Sequence, residues 1–395
     1  MKDVKLADGI YWVGAIDWDI RFCGSYTTPI GTTYNAYLIL DEKNVLIDTV
    51  KTGFHSELLE RIRNIIDPSE IDYVIVNHTE KDHAGALLEV MRESKDAEIV
   101  ISDKGKESLL KYYGAWPARA VDTGDALKIG ERTLTFIKAQ MLHWPDNMCT
   151  YSEKEGILFS NDPFGQHIAS SERFDDEIPS EKLMEHAARY FAAIVMPYSA
   201  VVLKKIGEIK NMGIRINAIA PAHGLIWRKA PEKIIEAYAK WASGEAENKA
   251  VIIYDTMWSS TAEMAKLISR GMEKNNIQVR LFNLRNSDWT EIAKEVMESK
   301  AVLVGSPALN SGMYPTVAGF LHYIRGLRPR NKMWFAFSSY GWGGGAVKAI
   351  KEELSRGRFQ VIDTLEVKYA PGKKDIEECY RFGEDIAAMI RGEDK

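Results

Sequence analysis

From Lys249 onward the chain alternates apolar β-like runs with helical segments, and this rhythm narrows the fold more than any other feature of the 395 residues. The runs are Ala250 to Tyr254, Gln278 to Asn283, Ala301 to Gly305, Lys332 to Ser338 and Gln360 to Val367. Five βα units in succession predict a doubly wound parallel sheet that takes ligands at the C-terminal ends of its strands. Just before them, Ala242 to Asn248 is small and charged, the composition of a linker. A chain this long exceeds one core, so two domains are expected, residues 1–247 and 248–395.

The first domain mixes strand and helix signals. Asn35 to Leu40, Asn44 to Val50, Ile71 to Asn77, Ala97 to Ser102, Arg132 to Ala139, Gly156 to Ser160 and Ile216 to Ala220 read as strands. Helical periodicity runs through Phe54 to Ile66, Gly85 to Glu93, Glu181 to Val195 and Ala200 to Met212. A formal charge of -5 gives no electrostatic reason to expect nucleic acid or an anionic membrane as partner. The basic group Arg325, Arg328, Arg330 and Lys332 reads as a solvated loop, with docking of an acidic protein as the alternative. Three scattered cysteines, Cys23, Cys149 and Cys379, form no disulfide framework and no CxxC site. Nor does the N-terminus carry the apolar core of a signal peptide, so a cytoplasmic protein is expected.

Immediately after the run Ile71 to Val76 comes Asn77-His78-Thr79-Glu80-Lys81-Asp82-His83, two imidazoles and two carboxylates within six positions. Side chains 78, 80 and 82 share a direction if the strand continues, and a turn there lets them converge. His143, Asp162 and His223 each follow a further β-like run. Imidazole with carboxylate suits iron, manganese or zinc, and one carboxylate can bridge two ions. Alone, the first cluster is more often a charged turn than a metal site; three more ligand-type residues at strand ends, on separate segments, argue for metal.

The second domain offers three loops at strand ends. Thr256, Met257, Trp258, Ser259, Ser260 and Thr261 precede a helix, and their hydroxyls and backbone N–H groups suit a phosphate monoester. By itself such a run is more often only a helix cap. Ser306, Pro307, Ala308, Leu309 and Asn310 follow the third strand, and Ser339, Tyr340, Gly341, Trp342, Gly343 and Gly344 follow the fourth. Glycines permit close backbone approach and the aromatics can stack on a flat ring. No GxGxxG fingerprint of a dinucleotide site follows the first strand.

The order His78-x-Glu80-x-Asp82-His83, His143, Asp162, His223, followed by flavodoxin-like loops, resembles the flavodiiron proteins, or A-type flavoproteins. The resemblance spans nearly the whole chain. It implies a metallo-β-lactamase-like αββα sandwich holding two iron ions, then a flavodoxin-like domain holding FMN. Hydrolytic relatives carry HxHxDH, and Glu80 in place of the second His supplies an anionic oxygen that favours redox-active iron over hydrolytic zinc. Carried over by residue, the pattern gives His78, Glu80 and His143 to one iron, Asp82 and His223 to the other, and Asp162 to both, with His83 a further ligand. Tyr26, His167 and Tyr198 are candidates to donate a proton or hydrogen bond to substrate, with purely structural roles as the alternative.

The implied activity is reduction of dioxygen to water, of nitric oxide to nitrous oxide, or of both. Electrons would come from rubredoxin, a flavin reductase or reduced deazaflavin. The family resemblance further implies a head-to-tail homodimer or a dimer of dimers, and with no CxxC extension after the second domain the minimal two-domain class. Two competitors stand beside this reading. One is a zinc-dependent hydrolase of the glyoxalase II type with a flavodoxin-like appendage. The other is a non-catalytic electron carrier whose first domain is a scaffold.

Overall fold

The structure is a computed structural model and describes residues 4–393. It divides into two compact units, one formed by residues up to 190 and 198–239, the other by 191–197 and the chain from 240 onward.

The first unit stacks two sheets. Seven strands lie in the order Val4–Ala7, Ile10–Trp12, Tyr37–Ile39, Asn44–Ile47, Ile71–Val76, Glu98–Ser102 and Ala118–Val121, antiparallel up to Asn44–Ile47 and parallel beyond it. Five more, Ala126–Lys128, Thr133–Lys138, Met148–Ser152, Ile157–Asn161 and Ala218–Pro221, form the second sheet. Strand alternation sorts the apolar residues into two cores. Val45, Ile47, Ile75 and Val100 meet Phe136, Met148 and Phe159 between the sheets. Leu46, Val74, Val76, Ile99 and Ile101 point the other way, onto Leu58, Ile62, Leu87, Val90 and Leu109 of the helices His55–Arg63, Leu87–Glu93 and Asp103–Tyr113. This is the layered arrangement expected of a metallo-β-lactamase-like sandwich.

In the second unit all five strands are parallel, in the order Gln278–Asn283, Glu247–Tyr254, Ser299–Pro307, Met333–Tyr340 and Val361–Lys368. The order in which strands are added reverses at Glu247–Tyr254, so the crevice beyond that strand's C-terminal end is where a flavodoxin-like sheet accepts a ligand. Helices Ser260–Glu273 and Lys373–Arg391 cover one face through Met264, Ile268, Phe382 and Ile386. They cross at Gly271 and Gly383, where a Cβ would come within 2.1 Å of the Tyr380 and Ile268 carbonyl oxygens respectively.

Several expectations change. Helix Pro231–Ser243 runs into the expected linker and the next strand begins at Glu247, leaving only three residues between them. The helix is prolonged because Arg330 Nη1 and Asn331 Nδ2 donate to the carbonyls of Ala242 and Ser243, satisfying its C-terminal acceptors. In the basic group Arg325 pairs with Glu353 at 2.6 Å, Arg330 is this cap and Lys332 Nζ donates to the Met297 carbonyl, while Arg328 and Arg330 stay exposed in the loop after helix Pro315–Leu327. The run expected as one helix to Val195 ends as an α-helix at Tyr190 and continues as a π-helical turn, Phe191–Val195, entirely buried. Residues Ser180–Asn211 are long and apolar enough to cross a membrane by length and composition, but half of that apolar window is buried inside the protein.

Candidate functional site

The strand Ile71–Val76 stops one residue before the cluster, and a turn follows. That turn divides the cluster between two neighbouring groups. His78 and Glu80 join His143 and Asp162, while Asp82 and His83 join His223; within each group the ligand-type atoms all lie within 4.8 Å of one another. Asp162 reaches both. Its Oδ2 lies 3.6 Å from His78 Nε2 and 3.4 Å from His143 Nε2, while its Oδ1 lies 3.2 Å from His83 Nε2 and 3.7 Å from His223 Nε2. Glu80 Oε2 stands 3.3 Å from both His78 Nε2 and His143 Nε2, and Asp82 Oδ2 stands 3.3 Å from His223 Nε2. His83 turns inward, its Nε2 also 3.3 Å from Asp82 Oδ1.

Outer partners aim these groups. His78 Nδ1 meets Asp146 Oδ2 at 2.9 Å, and the same oxygen accepts from Thr79 N at 2.8 Å and Thr79 Oγ1 at 2.7 Å. His223 Nδ1 meets the Thr33 carbonyl at 2.7 Å, which fixes Nδ1 as the protonated nitrogen and leaves Nε2 free to bind. Tyr190 donates to Asp162 Oδ1 at 2.9 Å. Asp48, fully buried, accepts from Asn77 N at 2.7 Å and from Asn161 Nδ2 at 3.1 Å. One carboxylate thereby anchors the residues preceding both His78 and Asp162. Asp146, Tyr190 and Asp48 escaped the sequence reading. A signal existed for two of them, since Asp146 stands three residues after His143 and Asp48 directly follows the strand Asn44–Ile47.

The electrostatics call for cations. Burial would raise Asp162, yet His83, His143 and His78 hold it well below the usual carboxylate range. Burial would likewise lower His83, and the Asp82 and Asp162 carboxylates instead lift it to about 9. Buried and without hydrogen-bond partners are both ring nitrogens of His83 and Asp82 Oδ1. Buried polar atoms of this kind are costly unless something binds them; each residue offers one ligand atom, so a metal ion accounts for His83 Nε2 and Asp82 Oδ1, which face the cluster, and not for His83 Nδ1.

Beside these groups lies a small cavity of about 170 Å³, bordered by Cys23, Thr32, Tyr34, Lys51, His167 and the cluster itself. Of the three proton-donor candidates, His167 lines this cavity, its Nδ1 is 2.8 Å from Thr32 Oγ1, and its buried Nε2 has no partner. Tyr26 stacks on the His167 ring with centroids 5.0 Å apart. Tyr198 is not brought to the cavity; it sits at the N-cap of helix Ser199–Asn211, and Tyr190 holds the contact with Asp162 instead.

In the second unit a cavity of about 750 Å³ opens beyond the strand ends, within the range of cofactor sites. Met257, Trp258, Ser260, Pro307, Ala308, Leu309, Asn310, Ser339, Tyr340, Gly341, Trp342 and Gly343 line it, together with Ser311, Tyr369 and Ala370. The last three were missed; Tyr369 directly follows the fifth strand, where its amide donates to the Tyr340 carbonyl at 2.6 Å. Trp258 and Trp342 are 86% and 95% exposed, large flat surfaces at the rim of an apolar cleft. Gly345, at φ 122°, brings the third loop against the second: a Cβ there would lie 2.4 Å from the Ser311 carbonyl. Thr256, Ser259, Thr261, Ser306 and Gly344 do not line this cavity. Thr261 and Ser306 are buried, bonded to Ser339 Oγ at 2.8 Å and to Tyr314 N at 2.8 Å, so they brace the loops. Thr256 Oγ1 is buried and unpartnered in the first loop, and Ser259, the N-cap of the next helix at φ 70°, makes no side-chain capping bond. An elongated flat ring with a phosphate tail fits this combination of apolar cleft, exposed aromatics and unsatisfied helix start.

Residues 32–224 match the ODP family of β-lactamase-like domains, and residues 252–383 match flavodoxin. The chain is 46% identical to a nitric oxide reductase of Moorella thermoacetica, over 98% of this chain and 99% of that protein. The rubredoxin oxygen:oxidoreductase of Desulfovibrio gigas has the same architecture, with a TM-score of 0.96, 40% identity and 99% of both chains covered. A flavodiiron protein from Giardia intestinalis aligns at a TM-score of 0.94 and 36% identity, over 100% of this chain and 98% of that one. With its two domains matched in order and nearly their full length shared with such relatives, the chain belongs to the flavodiiron protein family.

Proposed function

We propose that the protein is a diiron flavoprotein oxidoreductase that reduces dioxygen to water, nitric oxide to nitrous oxide, or both, with electrons passing from an external donor through FMN to the iron pair. The observation that carries this is Asp162, whose two oxygens serve two adjoining groups of buried donors in which Glu80 takes the place a hydrolase gives to histidine. When bound, two iron ions and one FMN hold up to four electrons, enough to take dioxygen to two waters, whereas a pair of nitric oxide molecules needs two. His78, Glu80 and His143 would hold one ion, Asp82, His83 and His223 the other, and Asp162 both.

The chain's own residues supply the rest. Asp146 and the Thr33 carbonyl set the direction of His78 and His223. A cavity of about 170 Å³ beside the cluster has room for diatomic substrates. His167, with burial driving its pKa well below the ordinary imidazole value, stays neutral and can present a hydrogen bond from Nε2 when Thr32 Oγ1 donates to Nδ1. Rubredoxin, a flavin reductase or reduced deazaflavin would be the donor. A head-to-tail dimer or dimer of dimers, in the cytoplasm, would set one chain's flavin beside its partner's irons.

The test is full-length protein assayed anaerobically for metal and flavin, then for consumption of dioxygen and nitric oxide with one saturating reduced donor. About two iron and one FMN per chain, with turnover of either gas, is the expected result. Zinc without flavin would favour the hydrolase, and flavin without metal the electron carrier.

A further inference from the structure

Directly after the strand Glu247–Tyr254, and one residue before the first flavin loop, stands Asp255 with no solvent exposure at all. A carboxylate this deep needs partners, and three segments supply them. Thr256 N donates to Oδ1 at 2.6 Å, Thr316 Oγ1 donates to Oδ2, and Arg285 Nε lies 2.8 Å from Oδ1 and 3.1 Å from Oδ2. Thr316 belongs to the first turn of helix Pro315–Leu327, the helix that follows the second flavin loop. Arg285 comes from the loop after Gln278–Asn283, and its guanidinium lies over the Tyr314 ring at 5.2 Å. Arg285 supplies the charge that balances Asp255, and its side chain remains 46% exposed.

The placement has an electrostatic consequence. The loop that Asp255 anchors through Thr256 leads into the uncapped start of helix Ser260–Glu273, where the phosphate of FMN would rest on backbone N–H groups. A buried anion at the root of a dianion site repels the ligand unless it is compensated. We propose that Asp255 and Arg285 form a charge-balanced positioning pair that makes the first loop selective for the phosphorylated flavin over its dephosphorylated form. The inference rests on the FMN reading above and deepens it: the isoalloxazine would be held by the apolar cleft, while this pair governs only what the phosphate contributes.

The experiment titrates FMN and riboflavin separately into full-length protein stripped of flavin with its iron retained, following the quenching of flavin fluorescence. For Arg285→Gln the FMN Kd should rise roughly tenfold or more, because an unbalanced buried carboxylate then lies at the base of the loop that would carry the phosphate, while the riboflavin Kd stays within about twofold. Adding Asp255→Asn to Arg285→Gln removes the stranded charge and should recover most of the FMN affinity, a coupling that a merely structural role does not produce. Arg285→Lys, which keeps the charge at a half-exposed position, should retain most of the selectivity. The proposal is overturned if riboflavin weakens as much as FMN in Arg285→Gln, if neither ligand responds, or if the double variant binds FMN no better than Arg285→Gln. A wild-type chain that binds neither flavin would overturn the FMN reading itself, which is a separate outcome.

Discussion

Replacing Asp146 by asparagine isolates what an outer carboxylate does for a metal ligand. Asp146 Oδ2 receives three groups, Thr79 N, Thr79 Oγ1 and His78 Nδ1. An amide oxygen can still accept from all three, so the local fold survives. What disappears is the negative charge, which His78 and the two Thr79 groups stabilise so well that the Asp146 carboxyl is held at about 2 although burial pushes it up. A charge-assisted hydrogen bond contributes about 1.5 to 3 kcal/mol against about 1 for a neutral one, so the imidazole loses on the order of 1 to 2 kcal/mol of orientation and basicity. That corresponds to roughly a tenfold weaker hold on the ion at the His78 group, at the low end of the range for such outer partners. The assay is iron retention against a graded chelator, with the flavin absorbance of the same sample as internal control. Asp146→Asn should begin to lose iron at about tenfold lower chelator while its flavin content stays at the wild-type level. Wild-type iron retention would refute the reasoning, as would equal loss of iron and flavin.

Glu80→His should lower iron content and reductase turnover while FMN stays bound; full iron and full activity would sink the oxidoreductase argument. Trp342→Ala removes an exposed indole from the cleft rim and should weaken FMN roughly three- to tenfold, or shift its potential, with iron unchanged. Burial pulls Lys332 down from 10.5 to about 7, so on unfolding it takes up a proton anywhere between those values and stability falls as the pH is lowered from 10.5 towards 7. Chemical denaturation at pH 9.5 and pH 6.5 should find Lys332→Met spared on the order of 3 kcal/mol of that loss, and identical pH slopes for both proteins would contradict it. Mixing a metal-dead His143→Ala chain with a flavin-dead chain altered at Thr256 and Thr261 should restore activity on subunit exchange. Differentially tagged heterodimers that stay inactive would place electron transfer within one chain.

What the sequence made legible was whatever depends on short-range pattern. The parallel sheet of the second unit follows from five apolar runs, and its strands begin and end within a few residues of expectation because each is bounded by loops. The metal-type residues stood out because each follows a strand end. Less legible were features set by distant partners. Helix Pro231–Ser243 outlasts its linker-like composition because Arg330 and Asn331, nearly ninety residues away, cap it. Strands Val4–Ala7, Ala118–Val121, Ala126–Lys128 and Met148–Ser152 are short or polar on one face and gain their pairing only from neighbours. Tyr190 lies inside a helical run with nothing local to set it apart from Tyr198, and only the packed structure shows which hydroxyl reaches Asp162.

The buried turn Phe191–Val195 has a consequence for how this chain can be dissected. It belongs to the second unit although more than forty residues of the first unit follow it, and Phe191 meets the Trp241 ring at 5.4 Å. No single cut therefore yields both halves intact. A fragment beginning at residue 248 lacks Phe191, Ile194 and Val195, and exposes the apolar surface they cover. During synthesis the same five residues leave the ribosome well before the rest of the unit they complete, and must wait for it. Gene fusions that exchange the flavin half between relatives should accordingly carry this turn along with it, or match its sequence in the recipient.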